Sequence, residues 1–329
     1  MQVTVIGSYP KLPEAGGGPN IRRAIHQFEA GQISLRQLEE VMLQTVERVI
    51  REQEEAGVDL VTDGQVRWDD LVTPFARDLG SVEIGGLVRF FDNNVYYRRP
   101  VVKGRVWWRG SSLAHEVRQA AAMARKALKV ALPGPLTFVK LSVNEHYRSW
   151  QDLAMDVAQA LQLEARALVE AGARAIQFDE PSLLFDANDE EWRVAAEALR
   201  EAARDLDVPV TVATYFRDGA GVVDRLAALD MVDVVGLDLA SGPDLAGYLA
   251  VHGFPRAVNL GLVNGREWRL EQPGELARTI EAVARHMGMD RISVSPNCGL
   301  EFLPQSRALA KLRVLKEAAD LAVGAAARG

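Results

Sequence analysis

Thiols and imidazoles are scarce in this chain. A single cysteine, Cys298, stands among 329 residues, so no intramolecular disulfide framework can form and a reducing compartment is expected. The five histidines, His26, His115, His146, His252 and His286, fall in stretches patterned as helices or helix flanks. None of them is placed to act as base for Ser8 or Cys298, which leaves no readable Ser-His-Asp or Cys-His arrangement. No apolar run reaches the roughly 18 residues that a membrane span needs. The N-terminal stretch lacks a basic segment followed by a long apolar one, so no signal peptide is expected. Positive charge is in deficit, 38 Lys and Arg against 45 Asp and Glu, for a net charge of −7. That excludes a broad electrostatic footprint for nucleic acid. Nor does any strand pattern run into a Gly-rich dinucleotide turn. These absences leave a cytoplasmic protein acting on a small molecule, with neither nucleic acid nor membrane as partner.

What is present is ordinary globular material, 48% apolar and 25% charged, with 27 Gly and 14 Pro. One α/β barrel or two smaller domains would both fit the length. Gln2-Val3-Thr4-Val5-Ile6 reads as a strand ending in Gly7-Ser8-Tyr9-Pro10, followed by a Gly- and Pro-rich loop over Leu12–Pro19. Two helices are expected next, Ile21–Glu29 and a second from Ser34 to Glu55, where Gln37 sits at the capping-box position of Ser34. Val58–Thr62 reads as a second strand. Residues 81–108 alternate apolar and polar residues around Asp92-Asn93-Asn94 and read as an antiparallel hairpin-like insertion. A helix over Ser112–Leu128 is expected to follow. From Lys129 onward strand and helix alternate, with strands at Lys129–Leu132, Ala175–Phe178, Val208–Thr214, Val232–Leu237, Arg256–Leu262 and Arg291–Val294. Eight strand–helix units and no linker point to a single (β/α)8 TIM barrel spanning residues 1–329; a doubly wound sheet is the alternative.

In such a barrel the residues that follow each strand carry the chemistry. They are Ser8, Asp63-Gly64-Gln65, Gly134, Asp179-Glu180, Thr214-Tyr215, Asp238, Asn264 and Cys298. Acids, amides and hydroxyls dominate, and only Arg67, Lys140 and Arg266 lie nearby as bases. A phosphate site would show Lys, Arg or a Gly-rich helix start. This set suits a polar, amino-bearing ligand. Asp179 and Glu180 are the candidate catalytic acids. Cys298 and Asp238 are the candidate metal ligands.

Several of these stretches resemble one family. Val5-Ile6-Gly7-Ser8-Tyr9-Pro10, Val61-Thr62-Asp63-Gly64-Gln65, Leu132-Pro133-Gly134-Pro135-Leu136-Thr137-Phe138, Ile176–Pro181 and Pro296-Asn297-Cys298-Gly299-Leu300 occur in the order found in cobalamin-independent methionine synthases. The full-length enzymes of that family hold two barrels, and this chain looks like one. Phe91–Arg99, Thr214-Tyr215-Phe216 and Leu262–Arg269 look closer to the N-terminal barrel than to the catalytic C-terminal one. The resemblance implies methyl transfer from a folate-type donor to a thiol such as homocysteine, activated by zinc. Of the implied zinc positions, His-x-Cys has become Val212 and Thr214, Glu has become Asp238, and Cys298 stands. The same resemblance assigns Ile6, Gly7, Ser8 and Asp179 to the amino acid, with Gln65 replacing a Glu and Leu141 replacing a folate-stacking Trp. Tyr215 and Asn264 complete the expected substrate-binding set. Three functions remain open at this point. One is a thiol methyltransferase with a divergent site. Another is a non-catalytic folate- or partner-binding module beside a separate catalytic-barrel chain. The third is a metal-independent lyase or decarboxylase using Asp179 and Glu180.

Overall fold

The computed structural model describes all residues except 15–17, 92–94 and 328–329. The expected Asp92-Asn93-Asn94 turn and the centre of the Gly-rich loop lie outside the described residues. From the N-terminus, β1 (Gln2–Val3) is followed by α1 (Ile21–Glu29), α2 (Leu35–Glu55), β2 (Leu60–Val61) and α3 (Thr73–Arg77). Two long strands, β3 (Leu79–Arg89) and β4 (Tyr96–Trp108), precede α4 (Leu113–Met123). Next come β5 (Ala127–Pro133), α5 (Pro135–Lys140), β6 (Val143–Asn144), α6 (Trp150–Glu170), β7 (Ala175–Asp179), α7 (Asp189–Ala202) and β8 (Val210–Ala213). The chain finishes with α8 (Val223–Ala227), β9 (Val234–Asp238), α9 (Pro243–His252), β10 (Ala257–Val263), α10 (Pro273–Met287), β11 (Ile292–Pro296) and α11 (Gln305–Ala326).

Eight strands pair in the order β1-β11-β10-β9-β8-β7-β5-β2, and a parallel bridge between Thr4 and Leu60 links the first and last. Parallel register and helical crossovers make this the (β/α)8 barrel that the strand spacing predicts. β3 pairs antiparallel with β4, and β6 lies parallel beside β4. The expected helix over Ser112–Leu128 is shorter. α4 stops at Met123 because Ala127 and Leu128 are taken by the ladder with Leu60 and Val61 of β2. Between β8 and β9 a 3₁₀ turn at Ala220–Val222 leads into α8.

Two units are distinguished, Met1–Arg67 with Gln119–Leu128 and Leu237–Gly329, and Trp68–Arg118 with Lys129–Gly236. In the first, α2 opens on the expected capping box: the Ser34 side chain accepts from the Gln37 N–H and Gln37 Oε1 accepts from the Ser34 N–H at 2.8 Å. Near its end the fully buried Gln53 brackets Thr62, donating to its C=O and accepting its N–H, each at 2.9 Å. α11 carries a buried cation in its apolar stripe. Lys311, 0% exposed, pairs with Glu271 at 2.9 Å and donates to the Arg269 C=O at 2.6 Å. Glu271 in turn accepts the Asn264 N–H at 2.8 Å, so this pair shapes the loop after β10. In the second unit, α6 buries Leu153, Val157, Leu161 and Leu168, a helical stripe in which each side chain contributes roughly 1.5–3 kcal/mol.

Removing one partner of a buried pair strands the other charge. Glu271→Gln is therefore expected to cost about 2–3 kcal/mol, below the roughly 3–5 kcal/mol of fully buried pairs because Glu271 keeps some solvent contact. Combining it with Lys311→Met is expected to cost less than the two changes summed. Urea denaturation of the three variants checks this.

Candidate functional site

Side chains two apart along a strand share a face, and on β7 that pair is Gln177 and Asp179. Their registers on β5 are Ala131 and Pro133, with Lys129 opposite Ala175. A polar column results. Lys129 Nζ donates to Gln177 Oε1 at 2.6 Å, and Gln177 Nε2 donates to Asp179 Oδ1 at 2.6 Å. The Tyr215 hydroxyl donates to Asp179 Oδ2 at 3.0 Å. All four residues are buried. Burial lowers the Lys129 pKa to about 7, against the opposing pull of the Asp179 charge. Lys129 reads from sequence as no more than the first residue of a strand. The signal that finds it is the period-two alternation carried back from Asp179 across the ladder.

Glu180 turns elsewhere. Its carboxylate accepts the Leu136 N–H at 3.0 Å, the Thr137 N–H at 2.5 Å and the Thr137 hydroxyl. The Gly134 N–H donates to the Asp179 C=O at 2.7 Å, and a Cβ at Gly134 would overlap the Glu180 carboxylate. Only glycine permits this approach. Burial pushes Glu180 up to about 7, while its hydrogen bonds pull the other way. The two neighbouring acids thus have separate partners.

Next to Asp179, Tyr215 begins a run of aromatic contacts: Phe216 at 4.5 Å between ring centres, Phe216 to Phe90 at 6.3 Å, and Phe90 to Phe91 at 4.8 Å. Phe91 stacks on Phe185 at 4.4 Å, and the Arg217 guanidinium lies over the Phe185 ring at 4.4 Å. Phe91 and Phe216 have positive φ, 50° and 77°, which is strained for bulky side chains. At the implied zinc positions in this unit, Val212 is buried in β8 and Thr214 donates its hydroxyl to the Gly236 C=O at 2.9 Å. Leu141 is buried, and its C=O accepts the Tyr97 hydroxyl at 2.7 Å.

The strand ends of the first unit form another network. Ile6 and Gly7 are buried, and the Gly7 C=O accepts the Thr62 hydroxyl at 2.7 Å. Ser8 donates its hydroxyl to Glu301, and its C=O accepts the Leu300 N–H at 2.9 Å. Gln65 has φ 51°, in a turn set by its N–H donating to Asp63 Oδ1 at 2.9 Å. Burial pushes the Asp63 carboxyl up. Asp238 accepts the Ser241 N–H at 2.8 Å and Asn297 Nδ2 at 3.2 Å. Asn297 Oδ1 accepts the Gly265 N–H at 2.9 Å, so one amide joins the ends of β9, β10 and β11. Asn264 uses its own side chain to accept the Arg266 N–H at 2.9 Å. Cys298 is buried, and burial, with Glu301 and Asp238 nearby, raises its pKa well above the usual thiol range. Asn297 lies in a motif read from sequence yet did not stand out, and Glu301 carried no signal of its own.

Zinc needs three or four ligands, and a cysteine ligand must be a thiolate. Among the described residues no group of three or more His, Cys, Asp or Glu side chains is gathered to hold a metal ion. Burial, Glu301 and Asp238 all push the Cys298 thiol away from the thiolate form, and Val212 offers no donor atom. The residues present do not fit a zinc ion. Among the described residues, no helix is long and apolar enough to cross a membrane.

The raised Glu180 pKa sets a pH dependence. Between about 4.5 and about 7 the folded state holds a proton that the unfolded state has released. Stability therefore falls as pH rises through that window and is level above it for this group. Glu180→Gln is expected to flatten the dependence, by on the order of 2–3 kcal/mol between about pH 4.5 and about pH 7. Urea midpoints across that range, wild type against variant, check it; equal slopes would refute it.

The family model for the catalytic domain of cobalamin-independent synthase matches residues 1–321. A methionine synthase of Sulfurisphaera tokodaii is 34% identical over 316 residues, covering 95% of this chain and 89% of the relative. One of Saccharolobus solfataricus is 32% identical over 324 residues, covering 95% and 92%. Among solved structures, a B12-independent methionine synthase from Shewanella sp. W3-18-1 in complex with selenomethionine superposes with a TM-score of 0.83 at 22% identity, covering 99% of each chain. A putative vitamin-B12 independent methionine synthase from Listeria monocytogenes gives 0.76 at 18%, covering 98% of this chain and 99% of that one. By sequence over almost its whole length, and by fold, this chain belongs to the cobalamin-independent methionine synthase family.

Proposed function

We propose that the protein is a methyltransferase that methylates an amino-acid thiol of the homocysteine class, takes the methyl group from a folate-type donor, and works without the family's zinc centre. The observation that carries this reading is the Asp179 carboxylate, buried at the end of β7 and oriented by the neutral donors Gln177 and Tyr215. A buried, oriented carboxylate selects an ammonium group, because charge-assisted hydrogen bonds gain strength where water is excluded. Tyr215, whose hydroxyl donates to Asp179 Oδ2, adds a further polar group beside the carboxylate. Glu180 acts as the anchor of the turn at 134–137, since its oxygens already accept three hydrogen bonds there.

In the transfer, sulfur bonds to the methyl carbon as the donor's N–CH₃ bond breaks. The bonding pair stays on the donor nitrogen, which takes a proton. The thiol proton leaves to solvent, because a free thiol near pKa 8.5 is a few per cent thiolate at about pH 7. The sequence relatives support action by the isolated chain, as the aligned 316 residues make up 89% of the Sulfurisphaera methionine synthase. That favours an enzyme over a module dependent on a separate catalytic barrel.

Incubating the protein with L-homocysteine and 5-methyltetrahydropteroyltriglutamate is expected to form methionine, detected by mass spectrometry, at a rate unaffected by EDTA. Asp179→Asn is expected to raise KM for homocysteine by about 30–100-fold, the loss of a charged hydrogen bond of about 2–3 kcal/mol. Absence of methionine, or turnover abolished by EDTA and restored by zinc, would overturn the reading.

A further inference from the structure

Lys129 is 2% exposed on a strand of the barrel, where branched apolar side chains ordinarily fill the space. Burying an ammonium group is costly unless other groups compensate it. Methionine or leucine would fill a similar volume without that cost. The cation therefore calls for a function, and its surroundings indicate which. Its Nζ donates to Gln177, and the other end of the same amide donates to Asp179. Nothing in this arrangement brings Lys129 to a strand end, because it lies four residues before Pro133, the register partner of Asp179.

We propose that Lys129 is a positioning residue for the substrate-ammonium site, a buried cation that acts through Gln177 to hold Asp179 as an oriented carboxylate. The Gln177 amide is the spacer. An amide turned with its oxygen toward Lys129 must turn its NH₂ toward Asp179, so the Lys129 N–H donor dictates the rotamer that grips the carboxylate. The same spacing keeps an incoming ammonium group from meeting Lys129 head-on. The lowered Lys129 pKa is what such burial produces, and the Asp179 charge is the cause that opposes it. The functional half of this inference rests on Asp179 binding the amino group; the coupling between Lys129 and Asp179 does not.

A double-mutant cycle separates the two halves. Lys129→Met, Asp179→Asn and the double variant are compared by urea denaturation without ligand. Each single change is expected to lower the midpoint, and the double variant to lose less than the sum, because neither charge is left stranded. Additive losses would overturn the proposal. Calorimetry with L-methionine then reads the site. Lys129→Met is expected to weaken binding about 10-fold in the wild-type background and less than about twofold in the Asp179→Asn background, with Lys129→Arg retaining most of the affinity. Unchanged affinity in Lys129→Met would also overturn it. A coupled stability cycle in a protein that does not bind L-methionine would sink the amino-acid reading and leave the coupling through Gln177 standing. If Lys129→Met does not fold, Lys129→Gln carries the same comparisons.

Discussion

Two adjacent acids cannot occupy one buried space without a large electrostatic cost, and the end of β7 resolves this by division. Glu180 is absorbed by the N–H groups and hydroxyl of Leu136 and Thr137, which ties the exit of β5 to the exit of β7. Gly134 makes room for it. That interaction sets the path of the chain on either side, and it leaves Asp179 to a different set of partners. Neither acid could take the other's role, since the donors that satisfy Glu180 are fixed in a backbone turn. Those of Asp179 are side chains on the strand and just beyond β8.

Buried polar side chains line strands in both units. In one unit a column from Lys129 through Gln177 reaches Asp179 and Tyr215. In the other, Asn259 donates to Ser295 at 2.7 Å, and Asn297 gathers Asp238, Ser241 and Gly265. Amides are the common element. An amide both donates and accepts, so it can pass orientation along a chain of groups without adding charge. Where the family resemblance implies a metal and a thiolate, this chain has a buried thiol with a raised pKa and a valine. Burial, Glu301 and Asp238 raise the Cys298 pKa, while the Arg266 guanidinium pulls it down.

The barrel was legible because alternating strands and helices at regular spacing impose it whatever the side chains in the loops. The Ser34–Gln37 capping box was legible for a similar reason, as three residues of local sequence suffice to form it. The boundary between α4 and β5 was not. Ala127 and Leu128 are good helix formers, and only the ladder with β2 draws them into a strand. The Asp179-Glu180 step showed as a site, but its division of labour did not, because the partners at 136–137 and at 215 are remote in sequence. Lys129 and Glu301 stood out least. A lone Lys or Glu has the same appearance in sequence whether it faces water or a buried partner.

Sequence alone determined the strand count, the order of the strand-end motifs, the family resemblance and the identity of Val212 and Thr214 where that resemblance implies a His-x-Cys pair. Each of these is a property of residue identity or short-range periodicity. Only the tertiary structure decided which oxygen of which acid meets which donor. It decided that Lys129 is buried with its Nζ on Gln177, and that burial raises the Cys298 pKa. Those outcomes depend on desolvation and on contacts across 44 to 48 residues of chain, as in the Glu180–Leu136 and Lys129–Gln177 pairs. Neither quantity exists until the strands are aligned.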